Sequence, residues 1–99
     1  MTDTYRFDAE LWEYTGQGAW VFLTVPPAPS ADIAAIPRPP RPGFGSIRVS
    51  VSLGGSTWLT SIFPDSKSGT FMLPVKKAIR ARERVEPGDV VEVTLELLE

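Results

Sequence analysis

The sequence predicts a mostly-β fold, a small six-stranded β-barrel, closed or nearly closed, with one or two short helices. Six short strand segments, most of them with alternating apolar and polar side chains, are separated by turns. The helical segments are too short to cover a flat sheet, so closing the sheet best hides its apolar face and its edges. The chain has 99 residues, 42% hydrophobic and 22% charged, and residues 1–99 are expected to form one domain.

The first two strands are predicted to form a hairpin. Residues 5–13 alternate apolar and charged side chains, as a half-buried strand does. Residues 15–18 break this pattern, and residues 19–25 are rich in the aromatic and branched residues of a second strand. Pro26 and Pro27 should end that strand, because proline cannot donate a ladder hydrogen bond.

A short helix and a proline-rich loop are expected next. Ser30 is predicted to cap a helix that runs to Ile36, because its hydroxyl can accept from the free amides of the first turn. Pro37 should end this helix. Prolines and arginines alternate through residues 36–43, which predicts an extended loop of polyproline type inside the domain. Its PxxP spacing also matches ligands of SH3-like grooves, but we interpret it as a rigid surface loop.

The second hairpin is the clearest local pattern in the chain. Residues 46–53 alternate strictly, and Gly54 and Gly55 supply the positive φ angles that a tight two-residue turn requires. The partner strand is predicted over residues 56–63. Pro64 is expected to close it.

The C-terminal part predicts a short strand, a helix and a last strand. Residues 70–73 form the short strand, and Pro74 suits the first position of a helix over residues 75–83. Residues 86–89 carry proline and glycine in the order that a type II turn needs, and residues 90–98 alternate as the final strand. The expected buried face of the helix is Val75, Ala78 and Ile79.

Cysteine and histidine are both absent, which excludes several kinds of chemistry. Disulfides, Cys/His zinc sites and histidine-dependent nucleophiles are impossible. We therefore predict no catalytic residue, no metal and no cofactor. Asp65, Glu86 and Asp89 lie in predicted turns, where turn formation accounts for them. A small enzyme that uses carboxylates or Lys77 stays as an alternative.

The sequence also predicts where in the cell the protein is located. Its longest apolar stretch, residues 19–25, is too short to span a membrane, and its first four residues lack the basic start of a secretion signal. We expect a cytoplasmic protein without membrane contact. The net charge of −2 argues against general attraction to nucleic acid or anionic lipid.

Residues 45–97, GSIRVSVSLGGSTWLTSIFPDSKSGTFMLPVKKAIRARERVEPGDVVEVTLEL, resemble the bacterial and archaeal family called domain of unknown function 1905. The upstream FDAELWEYTGQGAWVFLTVP is similar to the opening hairpin of that family, whereas the proline-rich segment departs from its usual pattern. The resemblance implies a six-stranded barrel of the double-split type and no established activity. LPVKKAIRARERVEPGDVVEV also resembles a unit of AbrB-type transcription factors, which bind DNA as dimers.

A cluster of cations marks the first candidate site. Six of the ten basic residues and one acid lie within residues 67–84. Such a cluster can bind phosphate groups, although the solvated face of a short helix is the simpler interpretation. We predict a contact surface that combines the helix with the turn at residues 65–69. Its candidate residues are Asp65, Lys76, Lys77, Arg80 and Arg84.

The three tryptophans are the second candidate. Trp58 is predicted as a ligand or partner contact, because an exposed indole near Arg48 or Arg80 would form a cation–π site. Trp12 occupies the equivalent face of its own strand. Packing in the core or at the barrel rim is the alternative that we prefer for these side chains.

These observations favour a non-catalytic binding module. Its expected partner is a protein or a small anionic ligand, and the barrel should be a monomer or a weak dimer. An AbrB-like DNA-binding regulator is the first alternative. Nucleic acid is not favoured, because no aromatic residue interleaves with the cations along the chain.

Overall fold

A computed structural model describes residues 4–14, 20–36 and 45–98. The predicted turn at residues 15–18 and residues 37–43 of the proline-rich loop lie outside this range. Among the described residues, no helix is long and apolar enough to cross a membrane. The elements are β1 Thr4–Tyr14, β2 Trp20–Val25, α1 Pro27–Ala35, β3 Ile47–Leu53, β4 Ser56–Asp65, β5 Thr70–Pro74, α2 Lys77–Glu83 and β6 Val90–Leu97.

The six strands form a closed antiparallel barrel in the order β1-β2-β5-β4-β3-β6. The predicted hairpins are present as the β1–β2 and β3–β4 pairs. β6 completes the ring between β1 and β3, with Thr4 opposite Glu96 and Val51 opposite Leu95. The prediction of a mostly-β, six-stranded closed barrel is therefore confirmed.

The barrel interior is filled with apolar side chains from all six strands. Alternate residues point inward, and each fully buried leucine, isoleucine or valine stabilises the fold by about 1.5–3 kcal/mol. The helix α1 adds Ile33 to this core. The fully buried apolar strand residues are Leu11, Leu23, Val25, Val49, Val51, Ile62, Leu73, Val93 and Leu95.

The helix α1 begins four residues earlier than predicted, with Pro26 at the cap position expected for Ser30. Pro27 occupies its first turn, where a missing amide hydrogen has no cost, and no side chain caps it. The prediction that Ser30 caps the helix is wrong. Ser30 is fully buried instead, and its hydroxyl donates to the Val25 carbonyl (2.9 Å) and accepts from the Phe71 amide (3.2 Å). One hydroxyl thus joins α1 to β2 and β5.

Two details of the β3–β4 hairpin differ from the prediction. Gly54 has a φ of +60°, but Gly55 is not among the glycines with positive φ. β4 also runs past Pro64 to Asp65, because its pairing with β3 ends at Ile62 and β5 takes over from Phe63 onward. Pro64 therefore does not end the strand.

The helix α2 begins later than predicted. Pro74 is the last residue of β5, opposite Phe22, and does not start the helix. The Val75 amide donates to the Val21 carbonyl (2.9 Å), which extends this pairing and delays the first helical turn to Lys77. Val75 and Ile79 are buried as expected, whereas Ala78 is exposed.

Candidate functional site

The outer surface of the barrel carries a shallow groove lined by aromatic side chains, here called the aromatic groove. Its volume is about 730 Å³. It crosses four neighbouring strands, β1, β2, β5 and β4, which explains why residues far apart in the sequence meet there. The lining residues are Trp12, Tyr14, Trp20, Phe22, Phe63, Met72 and Pro74, with Asp65 and Lys67 as the polar members.

Strand register places these side chains next to one another. Phe22 is opposite Trp12 on one side and Pro74 on the other. All three project outward, because Leu11, Val21 and Leu23 take the inward positions. Tyr14 pairs with Trp20, and Phe63 pairs with Met72 at the far side of the groove.

The rings pack against each other but remain accessible. The Phe22 ring stacks on Trp12, with centroids 5.2 Å apart, and on Trp20 at 6.3 Å. Tyr14 meets the same ring edge-on at 6.4 Å. The Trp12 indole Nε1 donates to Thr24 Oγ1 (2.9 Å), which fixes that ring. Trp20 is nevertheless 56% exposed and Tyr14 48% exposed, so both offer ring surface to a ligand.

A second groove, here called the basic groove, adjoins the first. Its volume is about 390 Å³, and it presents the cations Lys76, Lys77 and Arg80. Trp20 and Pro74 line both grooves. The fold therefore places the exposed Trp20 ring beside three cations, a neighbourhood that the linear sequence does not show.

The helix α2 is held in place at both of its ends. At the start, Arg80 Nε donates to the Val75 carbonyl (3.2 Å) while Ile79 packs into the core. At the end, the Glu83 carboxylate accepts from Ser56 Oγ (2.5 Å) and from the Gly55 amide (3.1 Å). Glu83 therefore fastens the helix to the β3–β4 turn.

The electrostatics of Glu83 follow from these contacts. The Ser56 hydroxyl, and then the Gly55 amide, stabilise the carboxylate and hold the pKa of Glu83 below its ordinary value of 4.5. Both bonds favour the ionised form. The fastening of α2 is therefore complete at neutral pH and weakens in acid.

The predicted site residues lie in different places. Lys76, Lys77 and Arg80 line the basic groove, and Asp65 lines the aromatic groove. The helix and the turn at residues 65–69 therefore border two adjoining grooves, with aromatic side chains between them. Arg84 is exposed at the end of α2 with a left-handed φ of 56° and lines neither groove.

Trp58 faces the barrel interior. It is buried with the core residues, while its neighbour Leu59 points outward and is 57% exposed. Within the described residues, its indole Nε1 is a buried polar atom without a hydrogen-bond partner. Packing, the alternative preferred from the sequence, describes its position.

The carboxylates of the turns serve the turns themselves. Asp65 Oδ1 accepts from the Lys67 amide (3.1 Å), and Oδ2 accepts from Ser68 Oγ (2.9 Å). Asp89 Oδ2 accepts from the Glu86 amide (2.9 Å). Across the described part of the chain, no three acidic side chains are grouped so that they could hold a metal ion.

Acidic side chains concentrate on the outer surface where β1 pairs with β6. Asp8 lies opposite Glu92, and Glu10 and Glu96 are exposed on the same two strands. The ion pair Arg6–Glu92 (3.2 Å) joins two exposed side chains and contributes little to stability.

Comparison with known families agrees with this architecture. The family model described as Domain of unknown function (DUF1905) matches residues 7–95, nearly the whole chain, and the chain belongs to this family. No curated protein matches the sequence.

Proposed function

We propose that this member of the DUF1905 family is a non-catalytic binding module, which holds an anionic ligand with flat rings across the aromatic and basic grooves. The observation that supports this is the sharing of Trp20 and Pro74 by the two grooves. A ligand that stacks on Trp20 lies beside Lys76, Lys77 and Arg80. Ring and charge can then be recognised together.

The exposure of the rings supports a binding role. A soluble domain usually buries large aromatic side chains, and a continuous exposed apolar patch commonly marks an interaction site. Here Trp20, Tyr14 and Phe63 are each more than a third exposed on one groove. Tryptophan and tyrosine are also enriched where binding energy is concentrated, because they bury much surface at low entropic cost.

The distribution of charge supports an anionic partner. The basic groove has three cations, whereas Asp65, the acid of the aromatic groove, has both oxygens engaged in its own turn. Attraction between unlike charges also speeds encounter.

The barrel itself restricts how a ligand can bind. The described strands form a closed ring, so no strand edge is left to pair with an extended peptide. Fully buried side chains fill the interior, which leaves the outer grooves as the place for a ligand. The proposal therefore concerns the barrel surface alone.

Two dyes test the proposal directly. 1-Anilinonaphthalene-8-sulfonate has flat rings and a negative charge, and N-phenyl-1-naphthylamine has the same rings without the charge. We expect the folded protein to bind the sulfonate more tightly than the neutral dye, as measured by fluorescence titration. Backbone amide shifts in NMR spectra should change around Trp20 and Lys77.

Matched variants give the test its controls. Trp20→Ala should weaken sulfonate binding, whereas Leu59→Ala, which removes an equally exposed side chain outside the grooves, should not. Lys77→Glu should also weaken binding, whereas Arg82→Glu reverses an exposed charge on the same helix outside both grooves. Equal binding of the two dyes, or equal effects of each variant and its control, would contradict the proposal.

A further inference from the structure

We infer that the ligand is a short single-stranded stretch of nucleic acid. Its bases would stack on the aromatic groove while its phosphates lie beside the cations. This inference rests on the proposed function and names the class of ligand. Single-strand binding sites combine these two elements, aromatic platforms for bases and a positively charged path for the backbone.

The aromatic groove has the width to stack more than one base. It crosses four adjacent strands, and three strand spacings of about 4.8 Å give roughly 14 Å. Sheets of four strands that bind RNA stack two or three bases on their surface aromatics. Trp20 and Tyr14 offer exposed rings at one side, and Phe63 offers a third at the other.

Cations flank these rings at both ends of β5. Lys67 lines the aromatic groove just before β5 begins, and Lys76 lines the basic groove just after β5 ends. Four steps of about 3.3 Å separate the two ends of β5 by roughly 13 Å. Lys77 and Arg80 add charge at the second end. A phosphate backbone that follows β5 would meet a cation at each end.

The rings distinguish a single strand from a duplex. In a duplex the base faces are stacked on one another and cannot reach Trp20 or Tyr14, whereas unpaired bases can. A duplex would use the cations alone. An acidic protein segment with aromatic side chains is the competing class of partner, because it also offers rings and negative charge.

Fluorescence anisotropy with a labelled octamer of deoxythymidylate tests the inference. We expect the octamer to bind, and Trp20→Ala to weaken binding by roughly 5- to 150-fold, the range for losing one base–aromatic stack. Leu59→Ala should leave the affinity unchanged. Four cations line the two grooves. A plot of the logarithm of the affinity against the logarithm of the salt concentration should therefore have a slope no steeper than about −2.8.

Competition experiments decide between the classes of ligand. A guanine–cytosine duplex of the same length, inorganic polyphosphate and a peptide of alternating glutamate and phenylalanine each compete with the octamer. We expect all three to compete poorly. Equal competition by the duplex or by polyphosphate would overturn the inference, because charge alone would then explain binding. Stronger competition by the peptide would overturn it in favour of a protein partner.

The dye titrations separate this inference from the proposed function. An octamer that fails to bind, while the sulfonate dye still binds at Trp20 and Lys77, overturns the nucleic-acid inference only. Failure of both probes overturns both. Thermal unfolding of each variant should match that of its control, so that lost binding reports on the grooves.

Discussion

Replacing Ser30 with alanine removes one oxygen atom from the junction of α1, β2 and β5. The side chain is fully buried, and its hydroxyl bonds the Val25 carbonyl at 2.9 Å and the Phe71 amide at 3.2 Å. Val25 is fully buried and Phe71 is buried as well. Water therefore cannot easily replace the lost hydroxyl.

The expected cost follows from these two groups. A buried donor or acceptor left unpaired costs about 1–3 kcal/mol. Both distances lie within the usual ranges, toward their long ends, so we expect a total of roughly 2–4 kcal/mol. Alanine favours the helix over serine by about 0.5 kcal/mol, which offsets only a small part.

Equilibrium unfolding in urea, followed by tryptophan fluorescence, measures this cost. For Ser30→Ala, the urea concentration at the unfolding midpoint should fall by roughly 1–3 M, while the dependence of the unfolding free energy on urea concentration stays unchanged. Ser50→Ala, at a half-buried position on the outward face of β3, is the control and should change stability by less than about 0.5 kcal/mol. Equal, small effects of the two substitutions would refute the view that Ser30 joins α1 to the barrel.

Three further predictions concern the contacts around the grooves and the β3–β4 turn. Glu83 has a lowered pKa when folded, so the stability it provides is present above about pH 4.5 and is lost as the pH falls through its folded pKa. Urea midpoints at pH 7 and pH 3 should therefore differ less in Glu83→Gln than in the wild type. Gly54→Ala should lower the stability of the fold more than Gly69→Ala. Both glycines have positive φ (60° and 75°), but only at Gly54 would the new Cβ clash with the Glu83 carboxylate. Equal urea midpoints of the two variants would contradict this contact. Thr24→Val should speed hydrogen exchange at the Trp12 indole Nε1, seen by NMR, and an unchanged rate would show that Thr24 does not hold the ring.

The barrel could be predicted from the sequence because β1, β3 and β6 alternate apolar and polar side chains and turn residues separate the six strands. In β3, and in β6 from Val91 onward, the apolar residues occupy every second position, so the buried face was unambiguous. The buried face of β4 was ambiguous. Trp58 and Ile62 lie on one face and Leu59 and Phe63 on the other, so each face has two large apolar residues. Strand periodicity could not decide which pair was buried.

The candidate site could be predicted only in part, because it depends on which strands are neighbours. The cations of α2 are close together in the sequence, so the sequence alone identifies them as candidate site residues. The rings come from β1, β2, β4 and β5, and β5 inserts between β2 and β4 instead of following a consecutive order. Because β2 and β5 are neighbours, Trp20 lines the same groove as Lys76 and Lys77. The only signal in the sequence was the aromatic residues at outward positions of β1 and β2, next to inward leucines.

The position of β6 determines when the molecule can finish folding. Its neighbours are β1 and β3, so the ring closes through contacts such as Thr4 with Glu96, nearly the full length of the chain apart. Contacts this distant in sequence slow folding, because the loop entropy is lost before the contacts form. During synthesis, β1 and β3 wait with unpaired backbone groups until the ribosome releases residues 90–97. That interval is when the nascent chain is most prone to pair with another copy.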